Sequence, residues 1–212
     1  MNYNEYSYPT RNLQFIEDLM LYIIKESGIK TNHNILSIGS GDSIHEDFLK
    51  VYCNSIFILN DKNIYDAEKD YIPSRENYYI PCKENYYNFV FIKSVIEHIN
   101  NTDLFLSEIY RVLKHGGKLI ILTPDYQKQK DFFYDDYTHI KPFTLTSLKM
   151  AVQLNNFKIK RATWFWYYKA IWEKRMIPNF LPCRLGFWLT KITGIKYFRW
   201  GSDRQLFVIG EK

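Results

Sequence analysis

Cysteine is scarce in this chain. Its three cysteines, Cys53, Cys82 and Cys183, form no C-x-x-C pair and no even-numbered set. That excludes a disulfide framework and a cysteine-rich zinc site, and it leaves reduced, unreactive thiols as the expectation. No run of 18 apolar residues occurs, so no membrane-spanning helix is expected. The opening Met-Asn-Tyr-Asn-Glu has neither a basic n-region nor an apolar h-region, and a cytoplasmic location is expected. No long Lys/Arg block appears, and the formal net charge is only +5. Nucleic acid is therefore not the expected partner, although a positive surface favours an anionic small substrate. Internal repeats and low-complexity linkers are missing too. One domain over residues 1–212 is the economical organisation for this length.

Aromatics, by contrast, abound, with 18 Tyr and 15 Phe, which argues against disorder. Apolar residues Leu13, Ile16, Leu19, Met20, Ile23 and Ile24 recur at helical spacing, with Thr10 or Asn12 as candidate caps and Gly28 as a stop. Asn34–Ile38 reads as a strand that breaks into Gly39-Ser40-Gly41-Asp42, and a helix follows from Ile44 to about Tyr52. Strand, glycine turn and helix in that order open a βαβ unit. Ser55–Asn60 reads as a second strand ending on Asp61, and Asn88–Ile92 as a further buried one. Thr102 is the expected cap of a helix that Gly116-Gly117 ends, and strand Lys118–Thr123 comes next. A helix over Thr144–Leu154 and strands at Phe157–Trp166 and Gln205–Gly210 complete the pattern. Alternation of this kind predicts a parallel sheet with helices on both faces.

The aromatic-rich stretch at about 164–200, interrupted by Pro178 and Pro182, fits an insertion or lid. A homodimer surface, a peripheral membrane contact and aromatic helices packed on the domain are the other readings of it.

Glycines at the carboxyl end of a first parallel strand let the backbone pass close to a ligand. An aspartate closing the next strand can accept both hydroxyls of a ribose, although a solvent-facing turn aspartate looks the same in sequence. More specific are three further stretches. They are Pro81-Cys82-Lys83-Glu84-Asn85-Tyr86-Tyr87-Asn88-Phe89-Val90-Phe91-Ile92, then Ser94-Val95-Ile96-Glu97-His98-Ile99, then Glu108-Ile109-Tyr110-Arg111-Val112-Leu113-Lys114-His115-Gly116-Gly117-Lys118-Leu119. With Thr123-Pro124 behind them, they closely resemble the class I S-adenosylmethionine-dependent methyltransferase family from about Ile35 to Asp125.

The resemblance implies a Rossmann-like α/β three-layer sandwich around a seven-stranded, mostly parallel sheet with an antiparallel last strand. It implies S-adenosylmethionine as cofactor, bound by Gly39, Ser40, Gly41, Asp61, Lys62 and Ser94. Ser94 would act mainly through its backbone, and Glu76 or Asn77 falls near the position that meets the adenine amine. Two departures stand out. Ser37 occupies a position that is usually acidic, and Ser43 one that is usually a third glycine. They motivate the alternative of a catalytically silent binding or assembly module.

Farther along, Asp135-Asp136-Tyr137-Thr138-His139-Ile140-Lys141-Pro142-Phe143-Thr144 resembles the D-x-T-H-x-x-P-F-T segment of bacterial methyltransferases linked to sugar and surface-glycan modification. The acceptor implied is a sugar, nucleotide sugar or small phosphorylated precursor of a surface polysaccharide. Histidine ordinarily titrates near ~6.5, so His139 can take a hydroxyl proton at neutral pH. Asp135 or Asp136 can orient its ring. A purely loop-fixing His139 is the competing role, and His98 reads foremost as a loop-ordering residue. Asp125, Asp135, Asp136 and His139 have oxygen and imidazole donors, but their spacing demands no metal and none is expected. No N-P-P-Y-like tetrapeptide follows the strand at 88–92, which speaks against a base-flipping nucleic-acid methyltransferase.

Overall fold

The computed structural model of the chain describes residues 13–39, 44–53, 55–59, 79–130, 132–166, 192 and 204–212. Its elements are α1 (Leu13–Ser27), β1 (Asn34–Ile38), α2 (Ile44–Tyr52), β2 (Ser55–Leu59), β3 (Tyr87–Lys93), α3 (Thr102–Val112), β4 (Leu113–Pro124), α4 (Tyr126–Gln129), α5 (Leu145–Leu154), β5 (Lys158–Trp166) and β6 (Arg204–Glu211). Short 3-10 turns stand at Ile96–His98 and Phe133–Asp135. The strands form one sheet in the order β2-β1-β3-β4-β6-β5. Strands β2, β1, β3 and β4 pair in parallel, while β6 runs antiparallel to both β4 and β5. The antiparallel last strand is therefore present. Seven strands were expected, and the described residues contain six. Glu76 and Asn77, the candidates for the adenine-amine contact, lie outside them.

Period-two alternation along the central strands builds the two cores. Ile35, Phe89, Phe91, Ile120, Leu122, Phe207 and Ile209 turn to one face, against Ile16, Leu19, Met20 and Ile23 of α1 and Leu49 of α2. Their neighbours Leu36, Ile38, Val90, Ile92, Leu119, Ile121, Leu206 and Val208 turn to the other. There they meet Phe105, Leu106, Ile109 and Val112 of α3 and Leu148 and Val152 of α5. A strand buried on both faces must be apolar at every step, which is why Phe89–Ile92 of β3 and Leu119–Leu122 of β4 are unbroken apolar runs. The result is the expected three-layer sandwich.

Helix boundaries follow local chemistry, with two corrections. Gly28 stops α1 at φ +78°, as expected. Thr144 caps α5 through a reciprocal hydrogen-bonded box with Ser147. The cap of α3, however, is Asn101, whose side chain accepts from Leu104 N, and Thr102 is the first helical residue. Helix α3 also ends at Val112 rather than at Gly116-Gly117, because Leu113 is already extended and joins the sheet beside Tyr87. Residues 164–166, placed in the aromatic insertion, belong to β5. Of the rest of that segment only Ile192 is among the described residues. No helix among the described residues is long and apolar enough to cross a membrane.

Candidate active site

In an open parallel sheet the ligand crevice lies beyond the carboxyl ends of the strands, where connections depart to opposite faces. Strands β1 and β3 end side by side, with Ile38 opposite Ile92. Gly39 leaves β1 at φ +72°, a conformation side-chain-bearing residues seldom adopt. A Cβ on Gly39 would also run into Val95 Cγ2, so the glycine is required twice over. Ser40, Gly41 and Ser43 of the same turn, and Asp61 and Lys62 beyond β2, lie outside the described residues.

Position 37 is not the simple loss of an acid that the sequence suggested. Ser37 is buried, and its hydroxyl donates to Glu46 Oε1 at 2.5 Å. Glu46 comes from the first turn of α2 and is 2% exposed. A carboxylate thus stands at the end of β1 after all, delivered through space from the next helix. The signal was legible only in part. Ser43 and Glu46 have the S-x-x-E spacing of a helix-capping box, but nothing local points Glu46 at β1.

Ser94 follows β3 at φ +53°, and its N–H donates to Leu122 O at 2.8 Å. That bond commits the Ser94 N–H to the sheet.

Beyond Ser94 the chain makes the Ile96–His98 turn, and here the structure assembles a cluster. Glu97 is fully buried. Its main-chain carbonyl accepts from both Ile140 N and Lys141 N at 3.0 Å, pinning the 139–141 segment to the end of β3. Its carboxyl Oε2 accepts from Thr123 Oγ1 at 2.8 Å. Burial pushes the Glu97 carboxyl up to about 7, against the opposing pull of a backbone hydrogen bond, the Thr123 hydroxyl and Lys93. This docking sets His139 against His98, with ring centroids 4.7 Å apart, and His139 stacks on Phe133 at 4.6 Å.

The tautomers follow from the partners. His139 Nδ1 lies 2.6 Å from the Phe133 carbonyl, which can only accept, so Nδ1 carries the proton. His98 Nδ1 lies 3.1 Å from Thr138 O and 2.9 Å from Thr138 Oγ1. That hydroxyl gives its own proton to Asp136 Oδ1 at 2.6 Å, so it too accepts from His98. Both rings are left with a lone pair on Nε2. Burial lowers the His98 pKa, with the Thr138 carbonyl opposing and His139 adding to the fall, so that ring favours the neutral form.

Of the sequence candidates, Asp136 belongs here: Oδ1 shapes the turn through Thr138, and Oδ2 lies 3.9 Å from His139 Nε2. Asp135 does not. It is exposed and, among the described residues, makes no hydrogen bond or ion pair with His139. Asp125 is also elsewhere, fully buried in an ion pair with Arg204 while capping α4. Glu97 was missed as a site residue, because a carboxylate after a strand shows its burial only once the sheet and the 139–141 segment are in place.

Residues 37–121 match the family described as the methyltransferase domain. The match supports an enzyme of that class. The glycine at 39 and the carboxylate beside Ser37 suit a close-lying ligand with a cationic end. No curated protein matches the chain. Solved structures share its fold. A SAM-dependent methyltransferase from Archaeoglobus fulgidus is 16% identical, with 95% of each chain covered and a TM-score of 0.63. Phosphoethanolamine N-methyltransferase 2 from Haemonchus contortus, solved with phosphomonomethylethanolamine and S-adenosylhomocysteine, is 18% identical, with a TM-score of 0.60 over 92% of this chain and 52% of that one. The [4+2]-cyclase SpnF is 10% identical, with a TM-score of 0.61 over 92% and 80%. Such a range of activities on one architecture means that the acceptor must be argued from the site.

Proposed function

We propose that this chain is an S-adenosylmethionine-dependent methyltransferase that, working as one domain over residues 1–212, methylates an oxygen of a sugar, nucleotide sugar or small phosphorylated precursor of a surface polysaccharide. The observation that carries the reading is the His139 imidazole beyond the end of β3, held by the Phe133 carbonyl with its Nε2 lone pair available. Bound S-adenosylmethionine supplies an electrophilic methyl group on a sulfonium that departs as a neutral thioether. The chain must hold the acceptor oxygen in line and take its proton. His139 Nε2 accepts that proton, and Asp136 Oδ2 stabilises the imidazolium that forms, as charge on the ring shortens their 3.9 Å separation into an ion pair. An acceptor bearing phosphate suits the net charge of +5. The acceptor assignment draws further support from the D-x-T-H-x-x-P-F-T segment, whose Thr138 and His139 both serve the cluster.

The test is turnover of His139→Ala against a panel of sugar and nucleotide-sugar acceptors. A loss of about 10²- to 10⁴-fold in kcat is expected, with S-adenosylhomocysteine affinity retained. Unchanged kcat removes His139 from the chemistry, and no S-adenosylhomocysteine formed with any sugar acceptor removes the acceptor class.

A further inference from the structure

One atom of the cluster has no role in proton transfer. Glu97 Oε1 is buried and, among the described residues, meets no hydrogen-bond partner, although Oε2 of the same carboxyl is satisfied by Thr123. Leaving such an oxygen unmatched costs about 1–3 kcal/mol, more if it is charged, so folded proteins seldom keep one without a ligand or a bound water. The His98 and His139 imidazoles stand beside the Glu97 carboxyl. One ligand atom each from Glu97, His98 and His139 lies within 4.8 Å of the other two.

The rings are also held as metal-binding histidines are held. In such sites the second ring nitrogen donates to a carbonyl or carboxylate, which fixes the tautomer and raises the basicity of the ligating nitrogen. His139 Nδ1–H is held by the Phe133 carbonyl, and His98 Nδ1–H by Thr138. Thr138 is in turn held by Asp136, so the support extends a further step outward.

We propose that Glu97, His98 and His139 form a binding site for a divalent transition-metal cation. Two imidazole nitrogens and one carboxylate oxygen suit Zn²⁺, Co²⁺, Fe²⁺ or Mn²⁺, whereas Ca²⁺ and Mg²⁺ favour all-oxygen shells. Around zinc, with bonds of about 2.0–2.2 Å, tetrahedral ligands stand about 3.3–3.5 Å apart, so the trio closes modestly on binding. His98 and His139 sit in short turns rather than in regular elements, which makes that movement inexpensive.

Three protein ligands leave a coordination position open, as catalytic metal sites do. For the role of the cation this inference rests on the acceptor class proposed above and revises its proton step: with the cation bound, His139 Nε2 is a ligand and no longer the base. The acceptor hydroxyl takes the open position, and the cation lowers its pKa. His139 is then a ligand, and the proton released as the oxygen binds passes to the Asp136 carboxylate.

The experiment is a titration of chelator-treated, full-length protein with Co²⁺, read by visible absorption and by paramagnetic broadening of histidine ring signals. One equivalent is expected to bind, broadening two of the five histidines most strongly. His98→Gln, His139→Gln and Glu97→Gln should each weaken binding by at least about 10-fold, and Asp135→Asn should not. Absence of saturable binding below about 1 mM, or unchanged binding in both histidine variants, overturns the proposal. The broadening readout uses the wild-type chain and stands even if a variant fails to fold. S-adenosylhomocysteine binding is measured on the same samples. Retained cofactor binding without Co²⁺ binding removes the cation and leaves the methyltransferase chemistry intact. Co²⁺ binding without methylation of any sugar leaves the cation site and removes the acceptor assignment.

Discussion

Restoring the family's usual acid at position 37 should damage this protein. In Ser37→Asp the new carboxylate replaces a hydroxyl that lies 2.5 Å from Glu46 Oε1, in a site where both residues are almost wholly buried. Two unit charges about 4 Å apart at an effective dielectric of about 20 repel by about 4 kcal/mol. Protonation of one carboxyl caps that cost: an acid whose pKa rises by about 3 units costs about 4 kcal/mol once the pH exceeds the raised value. The raised group binds its proton more tightly folded than unfolded. The deficit is therefore absent below pH ~4, grows by about 1.4 kcal/mol per unit above it, and levels off near pH ~7.

Urea unfolding followed by far-UV circular dichroism at pH 5 and pH 7 measures it. The wild-type chain supplies the baseline, and Ser37→Asp combined with Glu46→Ser closes a double-mutant cycle. The expected coupling exceeds about 2 kcal/mol at pH 7, because the double variant again pairs one hydroxyl with one carboxylate. A single variant within about 0.5 kcal/mol of wild type at pH 7, or two additive substitutions, would refute the reading that Glu46 supplies the carboxylate of this site.

Gly39→Ala should lower stability by about 1–3 kcal/mol and abolish measurable S-adenosylhomocysteine binding in calorimetry, since it combines the φ +72° backbone with a collision against Val95. Adding Val95→Ala should recover only the part due to the collision; full recovery would mean that the backbone conformation carries no strain. Arg204→Met should cost about 3–5 kcal/mol in chemical denaturation, because it leaves the buried Asp125 charge without its partner. Asp125→Asn in the same background should regain much of that loss, and a further loss instead would show that the cap on α4 outweighs the charge.

The strand and helix order was legible because each element carries its own periodicity. The unbroken apolar run of β3 and the Thr144 cap of α5 need no distant information. Misplaced ends had local causes. Asn101 outcompeted Thr102 as a cap, and Leu113 left α3 early because pairing with Tyr87 in the sheet outweighs one more helical turn. Ser37 read as a missing acid because sequence spacing shows nothing of a carboxylate approaching from α2.

Local sequence thus settled the architecture of this chain and the glycine at the end of β1, since periodicity and backbone freedom are properties of short stretches. The cluster of Glu97, His98 and His139 was decided by the tertiary structure alone. His139 lies some forty positions beyond the adjacent Glu97 and His98, and they meet because the Glu97 carbonyl captures the backbone of Ile140 and Lys141. Burial, tautomer and the unmatched oxygen of Glu97 arise from that capture, and a chain read residue by residue carries no trace of them.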